Sequence, residues 1–122
     1  MQLADANVVL RYLLDDNEQS KEAKRIIETG EVGITTEALV EVVYVLKKVY
    51  QVPRVEINSI LVDFITDSGI IVPEEDVFIK ALEFFSKDNE DIVDCLLAAH
   101  AFVSGATIHT FDKDLKKLIK RL

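Results

Sequence analysis

The apolar positions of the chain repeat with a helical period in several segments, separated by short β-branched runs. "NVVLRYLL" reads as a helical turn or two, and "EQSKEAKRIIETG" as an amphipathic helix closed by Gly30. "EALVEVVYVLKKVY" is a longer helix, headed by Thr35 or Thr36 as its N-cap and ended before Pro53. Val55, Ile57, Ile60, Leu61, Phe64 and Ile65 keep helical spacing up to a stop at Gly69, and Pro73 opens another helix over "EEDVFIKALEFFSKD". A helix from Ile92 to Ser104 breaks at Gly105, and a closing helix starts at Lys113. Between these segments, the apolar lead-in before Asp5 and the runs "VGIT", "IIV" and "ATIHTF" read as strands.

Short strands alternating with helices imply parallel pairing through right-handed crossovers. The predicted fold is α/β: a three-layer sandwich, with a short parallel sheet covered by helices on both faces. At 122 residues the chain is expected to be a single domain over residues 1–122, with no internal repeat. In such sheets the functional crevice lies outside the carboxyl ends of the strands, so residues following strands are the first candidates.

Charge narrows the function classes. The formal net charge of −8 argues against a general basic nucleic-acid surface, although it leaves room for a site in which bound cations supply the positive charge. The basic stretch "KDLKKLIKRL" is a local exception, read either as a solvated terminal helix or as a substrate contact. Asp5 and Arg11 interrupt the first apolar run, so it reads as neither a signal peptide nor a membrane span, and a cytoplasmic location is expected. Cys95 is the single cysteine, expected as a small core residue. His100 and His109 are expected in structural positions, and Tyr12, Tyr44 and Tyr50 in helix packing.

The acids carry the candidate chemistry. Asp5 and Asp112 follow predicted strands, Asp91 and Asp94 start a helix, and Glu41 interrupts an otherwise apolar helix face that it shares with Glu37. Asp91, Asp94 and Asp112 have an alternative reading as helix caps or first-turn residues, which applies to Asp114 as well. Gathered together, these carboxylates would repel one another, by about 1 kcal/mol per pair at ~4 Å even in bulk water. A shared hard cation, Mg²⁺ or Mn²⁺, gives a reason to accept that repulsion, and such a site activates water against phosphodiesters.

The stretches "LADANVVLRYLLDD", "TTEALVEVVYVLKKVY" and "DIVDCLLAAHAFVSGATIHTFDKDL" resemble, in order and spacing, the acidic motifs of PIN-domain ribonucleases, most closely the VapC-type toxins of toxin-antitoxin pairs. The resemblance covers almost the whole chain. It implies that Asp5, Glu41, Asp94 and Asp112 form a catalytic quartet. Holding one or two Mg²⁺ or Mn²⁺ ions, they would hydrolyse RNA to 5′-phosphate and 3′-hydroxyl ends. Asn7 and Thr110 match supporting polar positions, Asp91 and Asp114 stand as neighbouring or capping acids, and Arg11 as a phosphate contact or a neutralising charge. It implies as partners an RNA substrate, a cognate antitoxin protein and a second copy of the chain; the apolar surface of "RYLL" and "VVYVLKKVY" points the same way to a homodimer. The competing reading is a non-catalytic PIN-like binding module with an acidic pocket.

Overall fold

The computed structural model describes residues 1–14 and 18–122; Asp15 and Asp16, which end the first quoted stretch, lie outside them. The order of elements is β1 (Gln2–Leu3), α1 (Ala6–Leu14), α2 (Glu18–Glu28), β2 (Val32–Gly33), α3 (Thr36–Lys48), α4 (Arg54–Asp67), α5 (Glu75–Lys87), α6 (Ile92–Ser104) and α7 (Lys113–Lys120). The fold is α/β and mostly helical.

The helix boundaries have local causes. Thr35 caps α3 by accepting from the Ala38 amide at 3.1 Å, so the first of the two candidate threonines is the cap. Asp5 caps α1 through the Val8 amide at 3.1 Å, Asp91 caps α6 through Val93, and Asp112 caps α7 through Leu115 at 2.9 Å. Gly105 ends α6 at φ +69°, a left-handed position where glycine carries no Cβ penalty.

Strands β1 and β2 pair in parallel, with Leu3 opposite Gly33, and Gly33 bridges in parallel to Ile71. The run "IIV" therefore contributes one bridging residue rather than a strand. The expected strand "ATIHTF" is not formed: residues 106–111 carry no ladder, and the Phe111 side chain is 100% exposed. Alternating β-branched residues favour extended backbone, but a strand also needs a neighbour to bond, and among the described residues β1 pairs with β2 alone.

Helices bury one face of this small sheet, where Val32 and Ile34 are inaccessible to solvent. On the other face the in-register pair Leu3 and Ile71 remains exposed, flanking the buried Gly33. A Cβ on Gly33 would stand 2.9 Å from Leu3 Cδ2, so glycine lets the Leu3 side chain lie across the middle of the sheet. The core is helical: Leu39, Leu46, Ile57, Leu61, Phe78 and Phe85 are fully buried, as is Cys95. Burial pushes the Cys95 thiol up to about 12, which leaves it inert as a nucleophile. Of the apolar surface expected to be left over, Val42, Val43 and Leu46 of α3 are buried, whereas Tyr12, Leu13 and Leu14 of α1 are half-buried and Val49 and Tyr50 are exposed. Among the described residues no helix is long and apolar enough to cross a membrane.

Candidate metal centre

The starts of α6 and α7 come together because Leu115 and Leu118 are buried on the apolar side of α7, which packs along α6. Both helices begin with an aspartate cap, so their packing brings acids into one place. Oxygens of Glu90, Asp112 and Asp114 all lie within 4.8 Å of one another, the one such group among the described residues. Asp112 spends one oxygen on the Leu115 amide and keeps the other, so capping and ligation are compatible roles for it.

Asp94 belongs to the same neighbourhood. Its carboxyl is held above the usual carboxylate range, first by partial burial and then by the charges of Asp112 and Asp91. Glu90 is raised too, by desolvation and then by Asp114, Asp112, Asp94 and Asp88. A crowded, oxygen-only set of this kind suits a hard divalent cation, whose charge would offset both the desolvation and the repulsion that raise the two groups.

Asp5 and Glu41 are brought together as well. They line a shallow depression of about 400 Å³ with Ala4, Thr35 and Glu37, which neither Asp94 nor Asp112 lines. Of the four acids expected as one quartet, Asp5 and Glu41 thus share one depression, and Asp94 and Asp112 share one electrostatic neighbourhood. Glu41 shares its helix with Tyr44, whose hydroxyl reaches Asp91 at the start of α6, so α3 connects the two places.

The supporting positions divide similarly. Thr110 Oγ1 accepts from the Asp112 amide at 3.0 Å and fixes the turn into α7. Asn7 and Arg11 line a pocket of about 180 Å³ between α1 and α2, with Gln19 and Glu22, which none of the four acids lines. The buried Arg11 Nε has no hydrogen-bond partner. His100 Nδ1 is 3.9 Å from a Glu74 oxygen, and His109 is exposed.

Three residues gain a role that the sequence did not reveal. Glu90 completes the acidic group, and its only signal was a place in the acidic run "NEDIVD". Tyr44, expected only in packing, bonds Asp91 at 2.7 Å. Arg54, the first residue of α4, donates to the carbonyls of Phe85, Asp88 and Glu90 at 3.1, 3.0 and 2.7 Å, and more weakly to Asn89 at 3.3 Å. Its guanidinium also stacks 4.1 Å from the Phe85 ring centroid. This clamp holds the loop that delivers Glu90 and Asp91.

Compared with known proteins, the chain matches no curated protein and no solved structure at a significant level. It does match the family model described as PIN domain over residues 3–120, which spans every element from α1 to α7. The chain belongs to the PIN domain family, whose members are generally nucleases that act on nucleic acids with divalent metals.

Proposed function

We propose that the protein is an Mg²⁺- or Mn²⁺-dependent endoribonuclease, a single domain acting in the cytoplasm as the VapC-type toxin of a toxin-antitoxin pair. The observation that carries this reading is the meeting of the α6 and α7 caps, where Asp94 and Asp112 repel each other beside Glu90 and Asp114. Folding alone gives no gain from that repulsion. In this reading Asp94, Asp112, Glu90 and Asp114 hold the cation, and Asp5 and Glu41 close the site from the depression between α1 and α3.

When bound, the cation supplies Lewis acidity toward the scissile phosphate and toward water. The chain's own residues do the positioning. The Tyr44 bond fixes Asp91 and with it the first turn of α6, Thr110 fixes the turn before Asp112, and Arg54 fixes the intervening loop. Hydrolysis then leaves 5′-phosphate and 3′-hydroxyl ends.

In the substrate-bound form we take the architecture to be the full three-layer sandwich, with residues 106–111 laid along the open edge of β1. The alternating run "ATIHTF", the unpaired β1 edge and the exposed Leu3 and Phe111 support this. That pairing would fix the approach to Asp112 against the strand that leads into Asp5, in keeping with one quartet. Val93, Leu97, Phe102 and Val103 of α6 are also exposed, and they are the surface we assign to a homodimer or to an antitoxin.

The test is cleavage of single-stranded RNA in Mg²⁺ or Mn²⁺, with EDTA and with Asp94→Asn and Asp112→Asn. Loss of cleavage in all three supports the assignment; cleavage that persists in EDTA or in both variants removes it. A second reading is a non-catalytic binding module, for which the acidic group of Glu90, Asp112 and Asp114 would serve as a pocket without Asp5 or Glu41. RNA binding without cleavage under every metal condition would establish that reading instead.

A further inference from the structure

Beside the acidic group, between the last turn of α3 and the loop before α6, lies a cavity of about 190 Å³ lined by Tyr44, Lys47, Lys48, Arg54, Asn89 and Asp91, among others. We propose that it is a subsite for a backbone phosphate of the nucleic-acid substrate. The proposal deepens the nuclease reading and rests on it, since a polyanion can cross a cluster of carboxylates only if cations hold it nearby.

The charge of the cavity is opposite to that of the molecule. The chain has 22 acidic and 14 basic residues, yet this cavity sets Lys47, Lys48 and Arg54 against the single carboxylate of Asp91. That carboxylate is already engaged by the Tyr44 hydroxyl and the Val93 amide, which reduces its competition with an incoming anion. Arg54 has its donors committed to backbone carbonyls, so it contributes a fixed positive charge rather than a direct contact. Direct contact falls to the two lysines.

Their placement is also constrained. Lys48 Nζ rests 5.4 Å from the centroid of the Tyr44 ring, and that ring is pinned at its other end to Asp91. The contact draws the Lys48 ammonium toward the rim of the cavity. Asp91 is the cap of α6, and Asp94 follows one helical turn later, about 5 Å along the axis. A phosphate seated here lies next to the carboxylates that would hold the metal. The simpler role for Lys47 and Lys48, cations at the C-terminal dipole end of α3, needs neither the cavity nor the pinned ring.

The test is binding of a labelled single-stranded oligoribonucleotide to the full chain in EDTA, so that it does not depend on cleavage. Lys47→Gln/Lys48→Gln is compared with Lys21→Gln on the exposed side of α2 over a range of salt. The double variant is expected to bind about tenfold more weakly at low salt, with the slope of log affinity against log salt reduced by about 0.7 for each phosphate that a lysine no longer neutralises. In Mg²⁺ it should raise KM with kcat retained. Affinity and slope equal to those of Lys21→Gln would overturn the subsite while leaving the nuclease reading standing. Competition by poly-glutamate, charge for charge as effective as RNA, would overturn it in favour of an acidic protein partner. Absence of metal-dependent cleavage, together with the expected weakening of binding, would remove the nuclease reading and keep the subsite.

Discussion

Tyr44 Oη donates to Asp91 Oδ1 at 2.7 Å, joining the middle of α3 to the cap of α6 across a separation of 47 residues. The bond raises the phenol to about 12 from 10.0, followed in effect by desolvation and by the charges of Asp91 and Asp94. An acid whose folded pKa is raised stabilises the fold below its unfolded pKa and loses that contribution as pH climbs through the folded one. The window here runs from pH 10.0 to about 12.

Tyr44→Phe should therefore cost about 1 kcal/mol in urea unfolding near neutral pH, the net value of one hydrogen bond. The difference from the wild type should shrink as pH rises above about 10. A constant difference across that range would mean that the bond to Asp91 contributes nothing.

Arg54 tests the clamp on the loop before α6. Arg54→Ala leaves the carbonyls of Phe85, Asp88 and Glu90 without their donor, and unfolding should show a loss of about 1–3 kcal/mol. Lysine restores the charge but not the planar fork, so Arg54→Lys should fall between alanine and the wild type. A lysine variant as stable as the wild type would show that the charge alone, and not the fork, holds the loop.

Asp94 separates a ligand from a first-turn stabiliser. Its raised carboxyl contributes stability at low pH that disappears as the group ionises, so at neutral pH the charge weakens the fold. Without metal, Asp94→Asn should melt at the same temperature or higher near neutral pH. Mn²⁺ should then stabilise the variant less than the wild type, in proportion to the reduced occupancy. Glu90→Gln should behave alike, because desolvation and then neighbouring carboxylates raise it in the same way. Equal Mn²⁺ shifts in all three proteins would return both acids to ordinary surface roles.

What the sequence made legible follows the range of the interactions. Helix α3 could be read from its threonine cap and its period, and α6 from Asp91 and Gly105, because caps and periods are local. The capping readings of Asp91 and Asp112 also hold in the structure. Glu90 was not legible, since its place beside Asp112 and Asp114 comes from the docking of α7 on α6. Arg54 was hidden for the same reason: its partners lie more than thirty residues away in the chain. The apolar stripe of α3 was read as surplus surface, but periodicity cannot tell whether a stripe meets the core or a partner. The run "ATIHTF" shows the same limit in a strand, where residue preference fixes extended backbone and leaves the neighbour open.

That open neighbour is the subject of the last prediction. Residues 106–111 carry no ladder, while β1 offers an edge of unpaired backbone groups and an exposed Leu3. Pairing the two would satisfy the amides of both segments and cover Phe111, now wholly exposed. It would also hold Asp112 near Asp5, a charge cost that opposes docking in the metal-free protein. Mn²⁺ removes that cost, so metal and strand should bind together. Amide hydrogen exchange followed by mass spectrometry reads this directly. Without metal, the Leu3 amide, which faces away from β2, and alternate amides of residues 107–110 should exchange fast; with Mn²⁺ both sets should become protected to the same degree. Asp112→Asn, which lowers the repulsion but weakens metal binding, should give intermediate protection that Mn²⁺ hardly changes. Fast exchange of both segments in saturating Mn²⁺, in protein that cleaves RNA, would show that catalysis proceeds without the third strand and that the acids act from where they stand.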